Sequence, residues 1–249
     1  HPQAIQAFDL TVNTLQDAPS APDEVLTLRE AIEVANGTRS LDDLSAAERS
    51  QVQILASHQP SHIHWALAHP VNNPVVELTS PLPPLAQQHL SLDGAVGNRL
   101  VLLTPAAQTS IPRGLTIVAD GVTVKNLRFA GFTTHNPQFN AGEYSTADIH
   151  DRPQTRPSTL TGDIVITTGQ ILKDLHELSW MTQATPPQGV EITANHFGDQ
   201  NPDRPSAFGV VIFEGAGTQI HDNTFQFLQG SAILTGKEAT DSHISRNQI

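Results

Sequence analysis

Apolar and polar positions recur in the second half of the chain as an aliphatic residue, two further residues, Asn, one residue, then Phe or Ile. Ile192, Asn195 and Phe197 make one copy, Ile220, Asn223 and Phe225 the next, and Ile244, Asn247 and Ile249 a third. Val124, Leu127 and Phe129 repeat the apolar positions with Leu in place of Asn. Self-similarity at a near-fixed period means that one structural unit is stacked on itself. The spacing is 28 residues from Ile192 to Ile220 and 24 from Ile220 to Ile244. Each unit holds short β-rich runs broken by glycine, at 209–212, 218–220 and 230–234, rather than the i, i+3, i+4, i+7 pattern of a helix. The pattern predicts strands of one coil, with successive coils in parallel about 4.8 Å apart.

Ile117, Ile166, Ile212 and Leu234 form a second register ahead of the Asn motif. Two gaps are too long for one coil and predict insertions at 133–158 and 170–187; the second has Leu172, Leu175, Leu178 and Met181 at helical spacing. None of the 18 prolines lies in 113–136 or after Pro205, as expected where ladder donors are needed. Inward Asn195, Asn223 and Asn247 at one corner predict a ladder of amide hydrogen bonds, beginning only after the coil that carries Leu127.

The first third is different in kind. Residues 27–36 read as an amphipathic helix with Leu28, Ile32 and Ala35 on one face, Thr27 and Glu30 as a capping box, and Asn36-Gly37 as the stop. A second helix is expected from Ser40 through Val52, with Leu41 and Leu44 inward and Ser45 and Glu48 as another capping pair. Such elements would cover the strand edges and apolar core at one end of the stack.

The helix at 27–36 follows a β-like stretch at 8–13 and precedes strand-like segments at 75–78, 89–94 and 121–129. In that order the chain resembles bacterial secreted right-handed parallel β-helix proteins, the pectate-lyase-like superfamily with a Ser-Leu-Arg-Glu-Ala-Ile N-terminal motif. Many members carry Cys just before Leu-Arg-Glu, where this chain has Leu26 and Thr27. The resemblance implies a mainly β fold: a right-handed parallel β-helix, or single-stranded solenoid, with an N-terminal α/β cap. Residues 1–60 are assigned to the strand and helical cap and 61–249 to the coils, which are expected to continue beyond Ile249.

Composition narrows the partners. The 249 residues can bury about 70–75% of their unfolded surface, ample for one core. With 13 Lys and Arg against 25 Asp and Glu, the net charge is −12 and no basic run exists, so nucleic acid and anionic membrane are poor partners. No apolar stretch approaches a bilayer span, and the chain has no cysteine for disulfide or thiol chemistry.

Candidate chemistry is sparse. His196, His221 and His243 fall in three different outward rows, and Gly215 and Gly217 read as coil turns. Enzymes of the family resembled are calcium-assisted lyases, which pair carboxylate-bound calcium with an Arg or Lys base, or hydrolases with clustered Asp. For a lyase the candidates are Asp148, His150, Asp151 and Arg152 in the first insertion, with Asp199, Asp203 and Arg204 as a binding group near a later turn. His62, His64 and His69 are the best metal-like group, yet His62 and His64 also fit a half-buried strand with Ile63 and Trp65 inward. The leading expectation is an extracellular or cell-surface scaffold, adhesin-like, that recognises a carbohydrate or cell-surface component through its insertions and requires no cofactor. The alternatives are a Ca2+-assisted polysaccharide lyase and a subunit that stacks end to end into filaments.

Overall fold

The computed structural model describes residues 6–18, 22–56, 59–133, 160–174, 177–180, 183–201 and 203–249. The fold is mainly β, built from three sheets whose strands run parallel with few exceptions. The first sheet comprises β1 (Ala7–Val12), β2 (Val52–Leu55), β3 (His62–Trp65), β5 (Ser91–Asp93), β9 (Thr123–Lys125), β12 (Glu191–Thr193), β15 (Gln219–His221) and β18 (His243–Ser245). The second comprises β4 (Val75–Leu78), β7 (Arg99–Pro105), β10 (Leu127–Phe129), β13 (His196–Phe197) and β16 (Thr224–Phe225), with β6 (Ala95–Val96) paired antiparallel on β7. The third comprises β8 (Arg113–Ile117), β11 (Gly162–Ile166), β14 (Val210–Ala216) and β17 (Ile233–Thr240). From β8 onward the chain visits the third, first and second sheets in rotation.

Register explains why the apolar pattern repeats. Leu10, Ile63, Leu92, Val124, Ile192, Ile220 and Ile244 are consecutive partners across the first sheet. The column therefore reaches three strands further towards the N-terminus than the repeat alone reveals. In the second sheet Val76, Leu103, Phe129, Phe197 and Phe225 are partners. The Phe129, Phe197 and Phe225 rings stack at centroid distances of 5.2 and 4.6 Å, a geometry that adds to simple burial. In the third sheet Ile117, Ile166 and Ile212 align as expected, but Ile212 pairs with Thr235 and Leu234 pairs with Val211. Leu234 is thus displaced by one residue from its expected column and packs on the outer cluster instead.

The bends that follow β9, β12, β15 and β18 each turn on a single left-handed residue: Asn126, Ala194, Asp222 and Arg246, with φ between 52° and 57°. The residue after each is the ladder position. Asn195 Oδ1 accepts the Leu127 N–H at 3.0 Å, Asn223 Oδ1 the Asn195 N–H at 2.9 Å, and Asn247 Oδ1 the Asn223 N–H at 3.0 Å. Their amide nitrogens donate to the Val124, Ile192 and Ile220 carbonyls at 2.8–3.0 Å. Each Asn thus satisfies a donor and an acceptor of the preceding turn of chain, groups that the bend carries out of ladder geometry. Leu127 needs no such reach, because beneath it lies Gly94, where even a Cβ would come within 2.3 Å of the Leu127 side chain.

The N-terminal elements contribute to the main core. α1 (Leu28–Asn36) has the capping box of Thr27 with Glu30 and the left-handed Gly37, and buries Leu28, Ala31, Ile32, Val34 and Ala35. Arg29 ties it down: its guanidinium donates to both carboxylate oxygens of Asp17 at 3.0 and 2.9 Å and to the Ser80 and Pro81 carbonyls. The continuous second helix expected from Ser40 to Val52 is instead a 3-10 turn at Leu41–Asp43, then α2 (Ala46–Arg49), then β2. Ser45 and Glu48 do form a capping box, and it starts a new helix where one long helix was expected. Because β1 lies between β2 and β3, the N-terminal elements and the later parallel strands share one sheet. Thr27→Ala should lower stability by about 1 kcal/mol, read as a shifted urea midpoint with unchanged slope.

In the described part of the second insertion, α3 (Gly169–Asp174) is helical but Leu178 lies beyond it. Leu172 and Leu178 are buried against Val118, so this segment covers an outer face of the third sheet. Leu175 and Met181, and all of the first insertion except Thr133, lie outside the described residues.

Candidate functional site

The turn that follows β13 carries the densest set of polar groups drawn from distant parts of the chain. Two successive side-chain turns shape it: Asp199 Oδ1 accepts the Asn201 N–H at 3.3 Å and Asn201 Oδ1 accepts the Asp203 N–H at 3.0 Å. The turn can sit close to the second sheet because Gly131, at φ +89°, has no side chain. A Cβ there would lie 3.2 Å from Pro105, 3.3 Å from Thr104 and 3.6 Å from the Arg204 Cβ.

Arg204 projects from this turn and donates to Glu77 Oε1 of β4 at 3.2 Å. It borders two clefts. One, of about 480 Å³, is lined by Thr104, Gln108, Thr109, Asn201 and Asp203 among others; the other, of about 510 Å³, by Gln16, Asp17, Asn73 and Glu77. Beside them Arg128 of β10 donates to Asn73 Oδ1 at 3.3 Å and lies 4.0 Å from Asp199 Oδ2. Its register neighbour His196 is held below the usual imidazole value, first by burial and then by the Arg128 charge. Asp17 is spoken for: besides Arg29, its Oδ2 accepts from the Thr79 N–H and hydroxyl at 2.8 and 3.1 Å. Both clefts thus present the Arg204 guanidinium, amides and carboxylates, and the first adds threonine hydroxyls, an array suited to a ligand rich in hydroxyl groups.

A second cluster spans three strands of the first sheet. His221 Nε2 lies 2.9 Å from Glu191 Oε1 and its Nδ1 2.7 Å from Asp222 Oδ2, while Arg246 pairs with Asp222 at 2.7 and 2.8 Å. The Asp222 hydrogen bond, joined by Glu191, pushes the imidazole above its ordinary value. Arg246 and then His221 hold Asp222 well below the carboxylate range. With both ring nitrogens facing carboxylates, His221 is a clasp between neighbouring strands rather than a free base.

Asp199, Asp203 and Arg204 come together as one turn, and the structure adds Glu77, Asn73 and Arg128 to them. His62 and His64 occupy β3 with Ile63 and Trp65 buried, and His64 Nε2 finds an acidic neighbour in Asp9, 3.0 Å away. His69 is exposed on the following segment. Among the described residues no group of three or more His, Cys, Asp or Glu side chains is placed to hold a metal. Asp148, His150, Asp151 and Arg152 lie outside the described residues. Asn195, Asn223 and Asn247 stack as above and serve the backbone. The sequence reading missed Glu77, whose contact with Arg204 spans 127 residues, and Asp163, an acid within an apolar strand. Comparison with protein-family models, with curated proteins and with solved structures returned no match to this chain.

Proposed function

We propose that the three sheets are the sides of a right-handed parallel β-helix. In this reading the protein is an extracellular or cell-surface scaffold, adhesin-like, that binds a carbohydrate or cell-surface component at the turns around Arg204. The rotation of strands through three sheets, with columns of like residues in the first and second, supports the coiled architecture, and strand-to-strand crossovers are right-handed almost without exception. The observation that carries the binding role is the gathering of Arg204, Glu77, Arg128, Asn73 and the Asp199–Asp203 turn on one side of a rigid stack. Glu77, Asp199 and Asp17 are engaged by guanidinium or backbone N–H groups, which suits holding hydroxyls more than moving protons. No helix among the described residues is long and apolar enough to cross a membrane.

Titration calorimetry against a panel of neutral and acidic polysaccharides, with and without Ca2+, tests this. Saturable binding is expected, weakened at least about tenfold by Arg204→Ala, the loss of a charged hydrogen-bonding anchor. Release of unsaturated, ultraviolet-absorbing product would replace the scaffold with a lyase. Absence of binding together with filaments under the electron microscope would replace it with a self-assembling subunit.

A further inference from the structure

Four acidic side chains among the described residues are almost wholly buried: Asp17, which Arg29 and Thr79 hold, and Glu30, Glu48 and Asp163. Glu30 and Glu48 close capping boxes. Asp163 is 0% exposed, and neither of its carboxylate oxygens is within a hydrogen bond of a donor.

Its position is defined by register. Gly162 pairs with Arg113, and Ile164 pairs with both Leu115 and Val210, which sets Asp163 level with Gly114 on one side and Gly209 on the other. A Cβ on Gly114 would lie 2.8 Å from the Phe132 ring, and one on Gly209 would lie 2.7 Å from the Phe225 ring. This level of the stack therefore faces the aromatic interior, and an acid stands where its neighbours have no side chain at all.

Charged groups on the surrounding elements turn elsewhere. Arg113 of β8 bonds to Thr116, the Leu160 carbonyl and Glu177. Arg128 of β10 bonds to Asn73, Glu214 of β14 accepts from the Thr168 N–H, and Asp203 and Arg204 line the clefts. Asp163 N–H donates to Phe208 O at 2.9 Å, which sets its carboxyl beside the segment that Ser206 leads into, and among the described residues the Ser206 hydroxyl is the polar side chain that bears on it, short of a formed hydrogen bond. Ser206, itself 0% exposed, accepts the Gly131 N–H at 3.1 Å, and Ala207 N–H donates to Phe132 O at 3.0 Å. Ser206 is thus the pin that joins the Arg204 turn to the core.

We propose that Asp163 is a proton-held latch: its neutral carboxyl lets Ser206 seat the 198–206 turn on the core, and its ionisation unseats that turn and loosens the clefts around Arg204. The proposal stands whether or not the clefts bind carbohydrate. Burial pushes this carboxyl well above the usual carboxylate value, with Ser206 offsetting part of the rise. The folded chain then keeps a proton that the unfolded or opened chain releases from about pH 4 upward. Stability therefore falls as pH rises above that point and levels off once the folded carboxyl itself ionises.

The carbon-13 shift of the Asp163 carboxyl, followed with pH in the wild type, is the direct test. It is combined with amide protection of 203–209 corrected for intrinsic exchange, in wild type and in Asp163→Asn. The expected result is a neutral-acid shift at pH 7 and protection that falls by up to about tenfold per pH unit in the wild type, but stays flat in Asp163→Asn. An ionised carboxyl at pH 7, or the same fall in Asp163→Asn, would overturn the latch. If Asp163→Asn does not fold, the wild-type carboxyl titration decides alone.

Discussion

Asn223→Ala should lose about 3–5 kcal/mol of stability, enough to lower the melting temperature by roughly 10 °C in a chain of this size. The side chain accepts from Asn195 N and Nδ2 at 2.9 and 3.2 Å and donates to the Ile192 and His221 carbonyls at 2.9 Å. Asn195 is 0% exposed and Asn223 1%, so water cannot take over these roles. Truncation strands the Asn195 N–H and the Ile192 carbonyl, each a desolvated backbone group worth about 1–3 kcal/mol when unpaired. Asn247→Ala removes chemically similar bonds at a half-buried position, where solvent can replace them. Its loss should be less than half that of Asn223→Ala by thermal denaturation. Equal losses from the two variants would mean that the ladder does not depend on burial.

Much of the sheet pattern was legible because parallel stacking keeps the same residue class at the same level. Ile192, Ile220 and Ile244 could be aligned from spacing alone, and so could the outward row of Thr123, Glu191, Gln219 and His243. Ser40–Val52 was misread because Leu41, Leu44 and the Ser45 capping pair satisfy a helical pattern whose continuity only tertiary contacts decide. Ser45 Oγ turns to the Asp23 carbonyl, and Gln51 O accepts from Thr11 N–H, which draws the following residues into β2. The corner residues were invisible for another reason. Left-handed positions advertise themselves when they hold Gly, yet here they hold Asn126, Ala194, Asp222 and Arg246, imposed by the stack on residues with little preference in common.

The site was legible only in its local part. Asp199, Asn201 and Asp203 are close in sequence, and their side chains and backbone make the turn. What faces that turn depends on which strand lies below it, and Glu77, Asn73 and Asp17 come from segments more than 100 residues away. Asp163 escaped because a strand with one acid among Ile164, Val165 and Ile166 reads as alternating, with the acid outward. The structure places Gly162 against Val165 and Val211 of the outer cluster, so Asp163 falls on the inner side. Ile164 also lies in the inner core, so strict alternation cannot place both residues, and hydrophobic periodicity carries no trace of the exception.

Gly198, half-buried, joins that turn to β13, and Gly198→Ala should be strongly destabilising. A Cβ at 198 would stand 1.8 Å from the backbone oxygen of Gln226, at a φ of +87°. Neither partner can yield: Gly198 N–H donates to Phe129 O at 2.9 Å and Gln226 N–H to Phe197 O at 3.0 Å, which fixes the separation of the two turns. Gly37 provides the contrast, since at φ +72° it has nothing within 4 Å of a Cβ. Gly37→Ala therefore meets only the left-handed backbone cost, about 1 kcal/mol. Gly198→Ala adds a backbone collision to it and should lose about 3 kcal/mol or more. Because the collision separates β13 from β16 at the root of the Asp199–Arg204 turn, the polysaccharide affinity proposed for that turn should fall along with stability, whereas Gly37→Ala should leave it intact. Parallel denaturation and binding measurements on the two variants check both halves. A Gly198→Ala protein that melts like Gly37→Ala would show that the turns are not held at the spacing described.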